Sequence, residues 1–222
     1  MTTQPEEMGA FFDRVSDGYD DVHKTLVYDD PEAFYTKVAD SITPTESPIH
    51  ILDLGVGTGL ELNAVFSRSP HAHITGIDLS GKMLALLAEK YADRSDQLTL
   101  IQGSYLDPLP GETTFDYAIS VMSMHHLLTE KKLAVYQNIR QLLKPGGKYI
   151  EGDYIVSQDA ADEEMAAYQA ALGAESATQD GVYHLDIPMT AETLTALLRK
   201  AGFSTVDVIW QQEVNAILVA EK

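Results

Sequence analysis

Three groups of residues in this 222-residue chain have types and spacings that could do chemistry. Asp53 stands two residues before the alternating glycines Gly55, Gly57 and Gly59, inside the stretch H-I-L-D-L-G-V-G-T-G-L (50–60). Asp78 follows 19 residues after Gly59, and His125-His126 follow the apolar run Phe115–Val121. Glycines at alternate positions let the backbone turn sharply and let a ligand approach the main chain closely. Ile51, Leu52 and Leu54 before them have the length and character of a buried parallel strand. Leu62, Val65 and Phe66 after them fall at helical spacing. A glycine loop between a strand and a helix N-terminus is the geometry that cradles a nucleotide in an open α/β sheet.

The loop's neighbours narrow the ligand. The dinucleotide fingerprint needs a glycine or alanine three residues after the second glycine, and Leu60 stands there; the Gly-Lys-Ser/Thr of a phosphate-binding Walker loop is absent. Asp53 is a poor neighbour for a pyrophosphate and a good one for a cation such as an α-amino group or a sulfonium. Asp78, at the C-terminal end of the second strand, can accept two hydrogen bonds from a ribose diol. A ribose with a cationic tail and no phosphate describes S-adenosylmethionine. Asp53 capping the loop's amides is the structural alternative.

The elements that must position these residues follow from pattern. Residues 6–21 have Met8, Phe11, Phe12, Val15 and Tyr19 near helical spacing, predicting an amphipathic helix that frays at Gly18. Asp30-Pro31 is a helix start, with Phe34, Val38 and Ile42 on one face. Thr43 to Pro48 reads as a linker. Strands are expected at 50–54, 73–79, 98–102, 115–121 and 148–156. They alternate with helices over 59–68, from Ser80 through Tyr91, from Thr129 to a stop at Pro145-Gly146-Gly147, and over 159–172. Residues 173–189 read as irregular. Thr190 caps a last helix that stops at Gly202, and strands 204–211 and 214–220 close the chain. Alternating units imply an α/β fold, a doubly wound and mostly parallel sheet. The two closing strands are separated by almost nothing and must be antiparallel to each other, which counts against a nicotinamide reductase.

D-L-G-V-G-T-G (53–59), G-I-D-L-S (76–80), the Leu-Lys-Pro-Gly-Gly hinge (143–147) and the terminal A-G-F strand pair together resemble the class I S-adenosylmethionine-dependent methyltransferases. The resemblance covers residues 50–222 in layout. It implies a seven-stranded Rossmann-like sheet with its last strand inserted antiparallel. It also implies S-adenosyl-L-methionine contacts at Gly55, Gly57 and Gly59, with Asp53 near the methionine amino group, Asp78 on the ribose and Leu79 on the adenine. Family members often carry an acid after the third strand; here Ser104 and Tyr105 occupy that place and are expected to meet the adenine. Ser120 and Val121 are expected under the reacting methyl, and Tyr19 over the methyl donor.

The acceptor is less legible. His125 lies where ligands bind in open sheets and is the candidate general base, needed only if the nucleophile starts protonated; a histidine that merely holds a loop is the alternative, and His126 reads as its packing neighbour. The Asn/Asp-Pro-Pro-Tyr of amide and adenine methyltransferases is absent after the fourth strand, and so is the acid of catechol-type metal-dependent members. Glu151, Asp153, His184 and Asp186 match no metal-ligand spacing, so no metal is expected. Residues 1–45 read as an N-terminal helical lid on a 46–222 cofactor domain, with 157–189 a substrate-side insertion. Phe11, Phe12, Tyr19, Tyr28, Tyr35, Tyr154, Tyr168 and Tyr183, with Met8 and Met165, suit a mainly apolar small-molecule pocket.

Composition bounds the partners. With 15 Lys plus Arg against 34 Asp plus Glu, the chain carries a formal charge of -19. That repels phosphate backbones and anionic membranes, arguing against nucleic-acid and membrane partners. No cysteine is present, which excludes thiolate catalysis and fits a cytoplasmic setting. The reading is a methyltransferase acting on the oxygen or nitrogen of a small molecule, as a monomer or homodimer. The alternatives are a tRNA or protein methyltransferase and a non-catalytic protein that binds S-adenosylmethionine or S-adenosylhomocysteine.

Overall fold

The structure is a computed structural model that describes residues 6–26, 31–108, 114–172 and 183–222. A seven-stranded sheet has the order β3-β2-β1-β4-β5-β7-β6, built from β1 (Ile49–Leu54), β2 (Ala72–Asp78), β3 (Leu98–Gln102), β4 (Phe115–Val121), β5 (Leu143–Tyr154), β6 (Thr205–Gln212) and β7 (Asn215–Glu221). Strands β1 to β5 pair in parallel. Strand β7 lies antiparallel between β5 and β6, as the short 213–214 connection requires. The chain order reverses at β1, with β2 on one side and β4 on the other; crevices at such switch points are where open sheets bind ligands.

The helices are α1 (Met8–Val15), α2 (Tyr19–Leu26), α3 (Pro31–Asp40), α4 (Leu62–Arg68), α5 (Gly81–Lys90), α6 (Thr129–Leu142), α7 (Gln158–Leu172) and α8 (Ala191–Lys200). The strand pleat sends alternate residues to opposite layers. Ile51, Ile74, Ile119, Ile150 and Ile217 pack with Phe34 and Val38 of α3, Val65 and Phe66 of α4 and Leu87 of α5. Leu52, Leu54, Ala118, Tyr149 and Leu218 pack on the other face with Val135, Tyr136 and Ile139 of α6 and Leu194 and Leu198 of α8. Both layers are dry: Ile51, Leu54, Ile119, Ile139 and Leu198 are fully buried.

Capping chemistry fixes the helix starts. Ser80 Oγ accepts from Met83 N at 3.1 Å, and Thr190 Oγ1 accepts from Thr193 N at 3.1 Å. The expected single helix over 6–21 is two. Gly18, at φ 74°, ends the first, and Ser16 Oγ donates to Asp13 O at 3.0 Å. The helix from Thr129 ends at Leu142, before the Pro145-Gly146-Gly147 stop, because Leu143 already pairs with Phe115 in the sheet. Two short 3-10 turns, Ala92–Gln97 and Met124–His126, carried no periodic signal. Asp30 and Tyr28 lie outside the described residues, as does most of the irregular stretch before Tyr183.

Candidate active site

At the switch point the glycine loop runs off β1 and opens on a cleft of about 720 Å³. Gly55, Gly57 and Gly59 have φ of 74°, 51° and 66°, the left-handed region that glycine enters without steric cost. They do different things. A Cβ on Gly55 would sit 2.1 Å from Ser123 Oγ, whereas one on Gly57 would meet nothing within 4 Å. Gly59 is packed against Leu62 and Leu87 behind the loop, and its carbonyl accepts from Tyr91 OH at 2.8 Å. The cleft is therefore lined by Gly55 and Gly57 but not by Gly59.

Asp78 lies across the cleft from the loop. Its Oδ2 accepts from Gly57 N and its Oδ1 from Ser80 N, both at 2.8 Å. Burial raises its carboxyl pKa, and these backbone donors pull the other way. Leu79 and Met83 add apolar wall, and Tyr19, Phe12 and Tyr35 face the loop from the N-terminal helices. Tyr105 lines the far side, where Ser123 Oγ donates to Tyr105 OH at 3.1 Å and Tyr105 OH to Ser123 O at 3.2 Å.

Asp53 does not line the cleft. It is 1% exposed, on the α3/α4 side of β1, beneath Glu61, which does line the cleft. Burial pushes the Asp53 carboxyl well up, with repulsion from Glu61 adding to it; burial raises Glu61 as well. Asp53 Oδ2 and Glu61 Oε1 meet no protein donor. Two buried carboxyls in contact cannot both ionise, so one holds a proton between them, unless a cation arrives. Glu61 was missed in the sequence because it stands inside a helix-patterned run, eight positions from Asp53.

Ser120 and Ser104 are also outside the cleft lining. The pleat turns Ser120 to the α6/α8 side, fully buried, while its neighbours Val121 and Met122 line the cleft. Ser104 Oγ accepts from Leu106 N at 3.1 Å and organises the turn that presents Tyr105.

His125 sits in a second cavity, of about 890 Å³, that shares Phe12, Tyr19, Met122 and His126 with the first. Its Nδ1 is 2.6 Å from Asp153 Oδ1, and its backbone N donates to Asp153 Oδ2 at 3.0 Å. Burial alone would raise the Asp153 carboxyl, but attraction and hydrogen bonding from His125 win and hold it below the ordinary value. Asp153 thus engages Nδ1 and the backbone of His125, leaving Nε2 to face Asp186 and the cavity. Tyr154 packs against the His125 ring at a tilt of 57°, 4.7 Å between centroids. Asp186 Oδ1 is 3.7 Å from His125 Nε2 and 3.2 Å from His126 Nδ1. Asp186 is drawn down to about 2, its burial outweighed by the hydrogen bond from His126 and the three surrounding histidines.

The N-terminal helices are tied to this site at several points. Asp13 of α1 accepts from Ser80 Oγ and, at 3.2 Å, from Lys82 N. Asp20 of α2 accepts from Thr58 Oγ1 in the loop and from Lys90 of α5. Glu7 bridges to Tyr183, and Phe11 stacks on His184 at 3.5 Å between centroids. Asp116 lies at the opposite end of β4, where its carboxylate accepts from His50 N and Lys144 Nζ, each at 2.8 Å.

A seven-stranded sheet with an inserted antiparallel strand, and a glycine loop held by a buried acid at the switch point, define a Rossmann-like α/β protein of the methyltransferase type. Comparison with known proteins agrees. Residues 51–147 match the family profile of a methyltransferase domain. The O-methyltransferase cnsE of Penicillium expansum is 27% identical over 92% of this chain and 74% of its own. An O-methyltransferase structure from Nostoc punctiforme, described as putative, superposes on 100% of the chain with a TM-score of 0.71 at 18% identity. Human N-acetylserotonin methyltransferase, solved with S-adenosylmethionine, superposes on 96% with a TM-score of 0.63 at 19% identity. The chain spans 63% and 55% of those two solved chains. Residues 51–147 thus carry a methyltransferase domain, and the relatives and structural neighbours support an S-adenosylmethionine-dependent enzyme.

The residues present fit that cofactor. Gly57 leaves the loop open at the backbone, a buried acid pair awaits a cation, and Asp78 keeps lone pairs free for a diol. Among the described residues no helix is long and apolar enough to cross a membrane.

Burial and the neighbouring His125 press the His126 imidazole down to about 4 from an ordinary 6.5. The folded-state value is the lower one, so the neutral ring's contribution is fully present above pH 6.5 and is lost as pH falls toward 4. Urea unfolding of the native chain should lose on the order of 3 kcal/mol over that range because of this ring. The His126→Asn variant should lack that increment, and an unchanged pH slope would mean that the ring charges at no cost.

Proposed function

We propose that the chain methylates a hydroxyl of a small, largely apolar acceptor, with His125 as the general base. The observation that carries this reading is the His125–Asp153 pair on a cavity continuous with the cofactor cleft. An oriented base has work to do only on a nucleophile that starts protonated, which favours oxygen over an amine that is already free. Phe11, Phe12, Tyr19, Met122 and Tyr154 give that cavity an apolar, aromatic wall. The formal charge of -19 disfavours an RNA acceptor.

S-adenosylmethionine supplies an electrophilic methyl group on a sulfonium. The protein's part is to hold and orient. Asp78 would take the ribose hydroxyls, and Leu79, Met83 and Tyr105 would hold the adenine. Glu61, backed by Asp53, would receive the α-ammonium group as the pair's shared proton passes to solvent. Gly55 and Gly57 let the methionine portion lie against the backbone. Tyr19 and Phe12 close the cleft, so α1 to α3 act as a lid on the 46–222 domain, with 183–189 completing the acceptor side. His125 Nε2 would take the hydroxyl proton of the acceptor as that oxygen accepts the methyl group from the sulfonium. Asp153 stabilises the imidazolium through Nδ1. Water exclusion and in-line alignment supply much of the remaining rate.

Incubating the enzyme and tritiated cofactor with a metabolite extract should label a small apolar product. Tight cofactor binding with no labelled product of any size would leave only a binding protein. With that acceptor in hand, His125→Gln should lower kcat by about 10²- to 10⁴-fold. Cofactor affinity, measured by calorimetry, should be unchanged.

Asp78→Ala should weaken cofactor binding by on the order of 2 kcal/mol, the loss of a charged hydrogen-bond pair. Unchanged affinity would confine Asp78 to holding the loop.

A further inference from the structure

The sequence shows no metal-ligand spacing, because the residues in question are separated by about 60 positions. The fold brings them together. His125, His126 and Asp186 each offer one ligand atom, and these atoms all lie within 4.8 Å of one another. His126 Nδ1 is 3.2 Å and His125 Nε2 3.7 Å from the same Asp186 oxygen. An ion with tetrahedral bonds of about 2.0 to 2.2 Å needs its ligand atoms about 3.3 to 3.6 Å apart, so these separations already bracket the requirement. The Leu185 carbonyl stands 3.1 Å from His126 Nδ1 and adds an oxygen on the same side.

Two further features are those of a metal site. Asp153 Oδ1, 2.6 Å from His125 Nδ1, fixes that ring with its Nε2 toward Asp186, the carboxylate–histidine arrangement that orients metal ligands. Both histidines are buried, at 6% and 5% exposure, while the Asp186 side chain is 48% exposed at the mouth. That leaves an entry path, and the adjoining cavity leaves room for a further ligand.

We propose that His125, His126 and Asp186 bind a divalent first-row transition-metal ion, with Asp153 orienting His125. Two imidazoles and one carboxylate suit Zn²⁺, Fe²⁺ or Mn²⁺ and are too nitrogen-rich for Mg²⁺ or Ca²⁺. A nitrogen that ligates an ion cannot also accept a proton. On the base reading above, an ion here is therefore an inhibitor that competes with the acceptor.

The test is calorimetric titration of zinc chloride into the full chain after treatment with a chelator. One equivalent should bind, magnesium chloride should not, and Asp186→Asn and His126→Gln should each weaken zinc at least tenfold. His73→Gln, which breaks the exposed stacked pair of His50 and His73, should bind zinc as the native chain does. Far-ultraviolet circular dichroism checks that each variant is folded, since His126 also lines the cofactor cleft. The proposal is overturned by no saturable zinc binding, or by equal zinc affinity in Asp186→Asn or, should that variant not fold, in His126→Gln. Its failure is separate from that of the base reading, which falls instead if metal-free His125→Gln transfers the methyl group at the native rate.

Discussion

The two oxygens of Asp78 hold the cofactor cleft in shape. One accepts from Gly57 N in the loop and the other from Ser80 N at the start of α5. Ser80 Oγ in turn accepts from Met83 N and donates to Asp13 of α1. The glycine loop, the end of β2, the α5 N-terminus and the N-terminal helix are thus joined by one chain of charge-assisted hydrogen bonds. Asp20, Thr58 and Lys90 make a second clamp over the same loop. A ligand hydroxyl arriving at Asp78 meets a carboxylate already oriented by the backbone, so little further ordering opposes binding.

Burial of charge is used in two ways on the two faces of the sheet. On the α3/α4 face, Asp53 and Glu61 share a cramped space with no basic partner in contact, an unfavourable arrangement that a cation relieves. On the α6/α8 face, Glu151 is also fully buried, yet its Oε2 accepts from Tyr136 OH at 2.6 Å and Tyr149 OH at 2.9 Å. Lys132, 1% exposed, lowers the energy of both Glu151 and Asp153 by its charge. The second set is met by two phenol hydroxyls and a buried ammonium, although Glu151 Oε1, like Asp53 Oδ2 and Glu61 Oε1, meets no protein donor. The same residue type thus does opposite work according to what shares its burial.

Much of the fold was readable because its signals are local. Apolar runs of strand length, the caps Ser80 and Thr190 and the glycine loop all declare themselves within a few residues, and β3 and β4 fall where the pattern puts them. What was not readable depends on pairing across distance. The fraying expected at Gly18 is a full break at a left-handed residue, and Tyr19, grouped with the first helix by periodicity, starts the second. Ser120 and Val121 are adjacent in sequence, but the pleat can send only one of them to the cleft. The His125–Asp153 pair links the end of β4 to β5 across 28 positions, and neither spacing nor composition marks it. The family profile covers 51–147 and so reaches the cofactor loop but not Asp153 or Asp186.

The two cavities meet because of how the chain leaves β4. Met122 has φ 52°, a left-handed conformation that costs a non-glycine residue about 1 to 2 kcal/mol. Its backbone N is held by Gly152 O at 2.8 Å, so the sheet itself enforces the turn. Turning there places Ser123 under Gly55, where no side chain other than hydrogen fits, and sets His125 beside Asp153 one strand over. Ile187 N then donates to His125 O at 2.6 Å, bringing the 183–189 segment and Asp186 to the same spot. An extended residue at 122 would carry the chain away from Gly55 and separate the histidines from the cofactor cleft. The strain at Met122 is therefore what joins the cleft beside the glycine loop to the aromatic cavity.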